Sequence, residues 1–84
     1  MGKYLDFENE EKGYKKFNLT RENIRSNIGK QICFVDKRDV CKYRGYYKVR
    51  YGVLYSVRYS TLLLDEGNQD VDIRDVLECG IKDN

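Results

Sequence analysis

The stretch from Tyr47 to Tyr59 constrains the fold more than any other part of the chain. Its odd-numbered residues alternate between tyrosine and valine without a break, and all of them are aromatic or β-branched. The even-numbered side is Tyr46, Lys48, Arg50, Gly52, Leu54, Ser56 and Arg58. This period of two is typical of a half-buried antiparallel strand. We therefore predict one strand that buries its odd-numbered side chains and turns its even-numbered side chains to water.

A strand of this length needs a bend. The 13 residues from Tyr47 to Tyr59 exceed the roughly 3–10 residues of an ordinary strand. Gly52, at the middle, predicts a bend or bulge at which the strand curls from one half of a sheet into the other. A hairpin turn near residues 56–58 is the alternative, and the alternation through Val57 argues against it.

A short helix is predicted before the strands. Thr20 is a preferred N-cap residue, and Leu19 before it is placed to pack on Ile24. Ile24 and Ile28 lie four apart on one face, and Gly29 is suited to the left-handed position that ends a helix. The pattern predicts about two turns that dock their isoleucine face on the core.

The remaining elements are strands with short connections. We predict strands at 30–36, 59–64, 71–73 and 77–81, with a turn at 66–68 and a 3₁₀ turn at 74–76. No helical pattern separates the strands, so the sheet is expected to be antiparallel. The predicted fold class is therefore mainly β: a small five-stranded antiparallel barrel preceded by a short N-terminal helix, because closure removes exposed edges.

This order of elements resembles that of the SH3-like and Sm-like small β-barrels. The resemblance rests on Gly52-Val53-Leu54, the run from Ser60 to Asp65, the Gly67 turn, Val71-Asp72-Ile73 and Val76-Leu77. It covers roughly residues 19–82, and the preceding short helix fits the Sm-like form. The resemblance implies a barrel with a 3₁₀ turn before the last strand. The RNA-contacting residues of Sm proteins are absent from the matching positions, so it implies no particular ligand.

Two regions are expected along the chain. Residues 1–17 form a charged N-terminal arm whose aromatic residues either lie on the domain or become ordered on a partner. Residues 18–84 form a single small barrel domain with its leading helix. The sequence leaves open the order of the arm and the oligomeric state.

Composition excludes most catalytic and metal chemistry. The 84 residues include no histidine, and no phosphate-binding or dinucleotide-binding glycine motif occurs. The three cysteines, Cys33, Cys41 and Cys79, contain no C-x-x-C pair and are expected to be reduced and structural. We expect no enzyme, no cofactor and no metal. No signal peptide or membrane span is recognised, so a cytoplasmic protein with no membrane partner is expected.

The distribution of charge points to a ligand. The net charge is +2, but residues 37–59 hold seven basic residues and one acidic residue, whereas residues 60–84 hold two basic and seven acidic ones. A basic strand face and loop with exposed tyrosines is suited to single-stranded RNA or DNA. The candidate nucleic-acid-binding residues are Lys37, Arg38, Lys42, Arg44, Tyr46, Lys48, Arg50 and Arg58.

Two alternatives compete with this interpretation. Outward cations of the long strand facing Asp70 and Asp72 on a neighbouring strand would neutralise the surface. The chain is otherwise expected to be a regulatory accessory protein, of the kind that a phage or mobile element encodes, which binds another protein through a barrel edge and complementary charge.

Overall fold

Strands dominate the computed structural model, which describes residues 4–83. Residues 1–3 of the predicted arm and residue 84 of the predicted domain lie outside the described residues. The strands are β1 (Tyr14–Lys16), β2 (Gln31–Asp36), β3 (Val40–Cys41), β4 (Tyr46–Tyr47), β5 (Arg50–Arg58), β6 (Thr61–Leu64), β7 (Gln69–Asp72) and β8 (Val76–Lys82). One α-helix, α1 (Arg21–Arg25), and 3₁₀ turns at Lys37–Asp39, Asp65–Gly67 and Ile73–Asp75 complete the described elements.

The strands form one antiparallel sheet and one small hairpin. Six strands are hydrogen-bonded in the order β1-β8-β2-β5-β6-β7, and β3 pairs with β4 separately. All described pairings are antiparallel, which confirms the predicted mainly β class. Within residues 4–83 no ladder joins the two edge strands β1 and β7, so the pairing describes a curled sheet rather than a closed barrel. The 3₁₀ turn predicted before the last strand is present at Ile73–Asp75.

The bend predicted in the long strand is present in β5. The first half of β5, residues 50–53, pairs with β2, and the second half, residues 54–58, pairs with β6. The register shift lies between Leu54 and Ser56 rather than at Gly52. Gly52 instead allows a close approach, because a Cβ atom there would lie 2.9 Å from Leu64 Cδ1. Gly52 thus lies shortly before the change of partner and allows the Leu64 side chain of β6 to approach β5.

The predicted orientation of this strand is wrong. Gly52 and Leu54 are buried, whereas Tyr51 is 46% exposed and Tyr55 is 49% exposed. The inner side of a tightly curled sheet has room for glycine and aliphatic side chains, and a tyrosine placed there needs a partner for its hydroxyl group. The long strand is also interrupted at residues 48–49, so Tyr47 belongs to β4 and not to β5. Gly52 and Leu54 of β5 therefore face the core, and beyond the register shift Val57 packs against it.

Two apolar clusters lie on opposite faces of the sheet. The inner cluster consists of Ile24, Ile32, Phe34, Leu54, Leu62, Leu64, Val71, Cys79 and Ile81. The outer cluster consists of buried Leu5, Cys33 and Val35, with Tyr4, Phe7, Tyr14, Val40 and Val49 packed against it. Both faces of β2 are therefore buried, one by the inner core and the other by the N-terminal arm (residues 4–13).

Specific contacts hold the arm on the outer face. The backbone N–H groups of Tyr4 and Leu5 donate to the Glu78 carboxylate at 2.8 and 2.7 Å. The Tyr51 hydroxyl donates to the Glu11 carboxylate at 2.7 Å, and Glu11 is only 6% exposed. Phe7 lies directly over Gly80, where a Cβ atom would come within 2.5 Å of its ring. The arm thus lies on the domain through backbone, phenol and ring contacts.

The helix is shorter than the sequence predicts. Thr20 caps it by accepting the backbone N–H of Asn23 at 3.1 Å, and Ile24 is fully buried. After the single turn of α1 the chain continues in turns to Gly29, whose φ is 93°. Ile28 is 46% exposed, so its predicted place in the core is wrong. This five-residue helix falls far short of the length needed to cross a bilayer.

The cysteines are free, as expected. Cys33 and Cys79 are buried and Cys41 is half-buried. Burial is the main cause that raises the pKa of the Cys33 thiol to about 11, and burial likewise raises the pKa of Cys79. These two thiols therefore act as small apolar side chains.

Candidate nucleic-acid interface

The centre of the predicted site is a hairpin of residues 40–48, which we call the basic hairpin. Its strands β3 and β4 are joined by a turn at Lys42–Gly45, in which the Gly45 N–H donates to the Cys41 carbonyl at 2.9 Å. Gly45 has a φ of 70°, a value that glycine adopts without strain. The sequence predicted a charged loop followed by the long strand and missed this hairpin.

The basic hairpin carries exposed cations and exposed rings. Every residue from 42 to 48 is exposed, and Tyr43 is fully so. Tyr46 is 57% exposed and extends from β4. Among residues 4–83, no carboxylate lies within ion-pair distance of the cations Lys42, Arg44 and Lys48. The hairpin thus places three cations and the rings of Tyr43 and Tyr46 in solvent within seven residues.

Three other predicted contacts are occupied by ion pairs with aspartates. Lys37 lies 3.0 Å from the Asp75 carboxylate. Arg38 donates from Nε and Nη2 to Asp36 at 3.0 and 2.7 Å. These cations lie beside the basic hairpin in sequence, but their charge is matched by a neighbouring acid.

Arg50 is the third of these cations, and it is also the most enclosed. Its side chain is 34% exposed and donates to both oxygens of Asp39, at 2.5 and 3.0 Å. This hydrogen bonding is the main cause that lowers the pKa of Asp39, and it raises the pKa of Arg50. Arg50 therefore ties the start of β5 to the 3₁₀ turn at residues 37–39 and is not a free contact residue.

Arg58, the last predicted contact, lies away from the hairpin along the chain. It ends β5 and pairs with Thr61 of β6 across the turn at Tyr59 and Ser60. Arg58 is exposed and has no carboxylate within ion-pair distance among the described residues. Of the eight predicted residues, four belong to the basic hairpin: Lys42, Arg44, Tyr46 and Lys48.

The paired charges come from a repeat that sequence reasoning missed. The pattern Asp-x-Arg-Asp-Val occurs at residues 36–40 and again at 72–76, and both copies form 3₁₀ turns. In each copy the first aspartate caps the backbone N–H of the arginine and also binds its guanidinium group. The two turns lie side by side, because Asp36 pairs with Val76 across β2 and β8. The repeat itself was the sequence signal for this arrangement.

The neutralising aspartates are therefore not the ones predicted. Asp72 pairs with its own neighbour Arg74, whose hydrogen bonds lower the pKa of Asp72 to about 2. Asp70 lies opposite Leu63 and not opposite a cation of β5. The cations are neutralised by aspartates of the two Asp-x-Arg-Asp-Val turns, at residues 36–40 and 72–76. Among the described residues, none of these ion pairs includes a cation of the basic hairpin.

The base of the basic hairpin rests on the arm. Val40 and Val49 pack against the outer cluster, and the Tyr47 ring meets the Tyr4 ring edge-on at 5.1 Å. The Tyr47 hydroxyl donates to the Tyr4 carbonyl at 2.5 Å. The hairpin's tip is thus in solvent while its base is fixed on the sheet.

The chemistry available at this surface is ionic and aromatic. Lysine and arginine can contact phosphates, and exposed tyrosine rings can stack on unpaired bases. Within residues 4–83 no group of three or more histidine, cysteine, aspartate or glutamate side chains is placed to hold a metal ion. Comparison of the chain with models of known protein families, with curated proteins and with solved structures finds no significant match.

Proposed function

We propose that this protein is a non-enzymatic module that binds single-stranded nucleic acid through the basic hairpin. The observation that carries the proposal is the contrast between cations of the same segment. Lys37, Arg38 and Arg50 are held by aspartates, whereas Lys42, Arg44 and Lys48 face solvent and form no ion pair among the described residues, although Lys48 is near enough to Asp39 to help lower its pKa. Unpaired surface cations are free to replace the counterions of a phosphate backbone.

The exposed rings favour a single strand over a duplex. Tyr43 and Tyr46 flank Arg44 on the hairpin and leave their ring surfaces open to solvent. A duplex keeps its bases stacked inside, so such rings gain little from it, whereas an unpaired base has a free π-face. Each stacked base is worth about 1–3 kcal/mol of binding free energy.

We also propose that the curled sheet is an SH3-like or Sm-like arrangement, open on one side. The strands β2, β5, β6 and β7 follow one another as a meander, and β8 returns beside β2 after a 3₁₀ turn. A short helix precedes the meander. This order supports the proposal at the level of fold and implies no ligand.

Fluorescence anisotropy with labelled single-stranded RNA, single-stranded DNA and a DNA duplex tests the proposal. If three cations each contact a phosphate, log K should fall with log salt at a slope of about −2 for single strands. Lys42→Ala/Arg44→Ala should weaken binding and reduce the magnitude of that slope by about 1.4. The matched control is Arg25→Ala/Lys30→Ala, which removes the same charge from exposed positions outside the hairpin.

The rings are tested separately from the charges. Tyr43→Ala/Tyr46→Ala should weaken binding to single strands at least about fivefold without changing the salt slope, because stacking involves no counterion release. No binding at low salt, or equal losses in the hairpin variant and the Arg25→Ala/Lys30→Ala control, would show that the hairpin is not a nucleic-acid surface.

A further inference from the structure

A second surface with a different chemistry lies beside β8. On one side β8 pairs with β2, and on the other β1 covers only residues 80–82. The last main-chain bond on that side is the Phe17 N–H donating to the Cys79 carbonyl at 3.0 Å. The chain then turns away into α1, so no described strand covers residues 76–78 there.

A groove occupies this uncovered place. Its volume is about 520 Å³, within the roughly 300–1,000 Å³ of ligand-binding clefts. Its apolar lining consists of Phe7, Phe17, Leu19, Ile73, Val76, Leu77 and Cys79. Leu77 is 45% exposed and is the extra residue of a bulge, without a partner on β2. The groove thus combines an uncovered strand segment with open apolar surface.

The other sheet edges carry charges that discourage pairing. Lys15 and Lys16 are exposed on β1, and Asp70 is exposed on β7. Charged residues on an edge strand are a common protection against the addition of another strand. Residues 76–78 are different, because Val76 and Leu77 are apolar and the Glu78 carboxylate is held by arm amides on the outer face. Residues 76–78 therefore carry less of this protection than the exposed stretches of β1 and β7 do.

Two charged side chains line the groove, Lys16 and Glu78, and Glu78 already accepts N–H groups of the arm. Lys16 lines the groove at the end of β1 and is exposed. Among the described residues no carboxylate lies within ion-pair distance of its ammonium group, whereas neighbouring Lys15 pairs with Asp83 at 3.9 Å. A partner with an acidic group at this end of the groove would complete the missing pair.

We propose that residues 76–78 of β8 are a strand-addition site for an extended, apolar and acidic peptide segment of a partner protein. Main-chain hydrogen bonds to β8 supply affinity, and alternate apolar side chains of the peptide enter the groove. An acidic residue of the peptide lies against Lys16. This surface is independent of the basic hairpin and of the nucleic-acid proposal.

Selection from a random peptide library on the full chain tests this assignment. Peptides enriched on the wild type should alternate apolar residues and carry an acidic one, and selection on Lys16→Glu should lose that acidic preference. If no peptide is enriched, or the acidic preference survives in Lys16→Glu, the assignment is wrong. Lys42→Ala/Arg44→Ala should bind the selected peptides as the wild type does. A negative result for peptide binding would therefore leave the nucleic-acid proposal unaffected.

The enriched peptides then identify the edge. Leu77→Lys should weaken their binding at least about tenfold, whereas Asp70→Lys on the β7 edge should leave it unchanged. N-methylation of alternate peptide amides should abolish binding, because an added strand uses those N–H groups. If Leu77→Lys fails to fold by circular dichroism, Leu77→Thr is used with the same peptides. Strand addition would be ruled out if every N-methylated peptide still bound. It would also be ruled out if the Leu77 variant bound the peptides as tightly as the wild type.

Discussion

The orientation of β5 yields the sharpest test of the fold, through the neighbours Leu54 and Tyr55. Leu54 is 1% exposed in the inner cluster, whereas Tyr55 is 49% exposed on the outer side. Lysine at position 54 would place an ammonium group out of water at a cost of several kcal/mol. Lysine at position 55 can lay its alkyl stem on the sheet and keep its charge in solvent, so its cost should stay within about 1 kcal/mol.

Whether each variant remains folded depends on how its cost compares with the total free energy of unfolding. A chain of 84 residues is expected to have a free energy of unfolding of roughly 4–13 kcal/mol. Leu54→Lys should therefore be unfolded or nearly so, and Leu54→Ala, which leaves a cavity, should lose about 2–5 kcal/mol. Urea unfolding followed by circular dichroism measures all three variants. If Tyr55→Lys lowered the free energy of unfolding more than Leu54→Ala does, Tyr55 and not Leu54 would face the core, and the inner cluster would be wrong.

Four further predictions concern the arm and the titrating groups. Tyr51→Phe leaves the buried Glu11 carboxylate without its phenol donor and should cost about 1.5–3 kcal/mol in urea unfolding; equal stability would contradict the contact. Because the Glu11 hydrogen bond, with burial, raises the pKa of Tyr51 to about 12 from 10.0, its stabilisation should be complete below pH 10 and be lost between pH 10 and 12. Tyr14 and Tyr47 also have raised pKa values, so the alkaline loss of stability should be smaller in Tyr51→Phe than in the wild type. The carboxyl pKa of Asp72, lowered from 3.8 to about 2, gives the opposite dependence, because its stabilisation is present above pH 3.8 and disappears toward pH 2. The pKa values of Asp36 and Asp39 are lowered as well, so stability measured against pH should fall less in Asp72→Asn than in the wild type, and an equal fall would contradict the Asp72 contact. Gly80→Ala should cost about 1–3 kcal/mol by forcing the Phe7 ring off the sheet, and Phe7→Ala/Gly80→Ala should cost less than the sum of its single variants.

Local patterns predicted those parts of the fold that depend on neighbouring residues. The period of two located β2, β5, β6, β7 and β8 but not the short strands β1, β3 and β4. Thr20 located the helix cap, and the predicted 3₁₀ turn lies between β7 and β8. The bend predicted in the long strand is present, but it lies after Val53 rather than at Gly52. Each of these features is determined by residues within a few positions of one another, so a single sequence contains the information.

The orientation of β5 depends on contacts that are distant in sequence. Tyrosine is amphipathic, so an unbroken row of tyrosine and valine indicates a strand without indicating which side faces the core. The choice depends on Glu11, which lies 40 positions from Tyr51 and accepts its hydroxyl, and on Leu64, which closes over Gly52. Neither contact has a signal within the strand itself.

The sequence predicted the segment that carries the candidate site, but it did not predict which of its cations are paired. The excess of cations in residues 37–59 is visible in the sequence, and the Asp-x-Arg-Asp-Val repeat could have identified Arg38 as paired. The pairing of Arg50 with Asp39 joins residues 11 apart and requires the chain to fold back at the hairpin. The count of charges therefore identifies the basic segment. Only the folded structure distinguishes the cations that are paired with aspartates from those that are not.

The arm packs under the base of the basic hairpin, so the proposed binding surface depends on the arm for its position. Strands of two residues each are too short for a hairpin to be stable by itself in water. Its base is held by Val40, Val49 and Tyr47 against the outer cluster, which the arm completes with Leu5 and Tyr4. The rigidity of a contact surface on the hairpin therefore depends on the packing of Tyr4 and Leu5, which lie more than 30 residues away in sequence. The arm therefore supports the presentation of Lys42, Arg44 and their neighbouring rings as well as burying one face of the sheet.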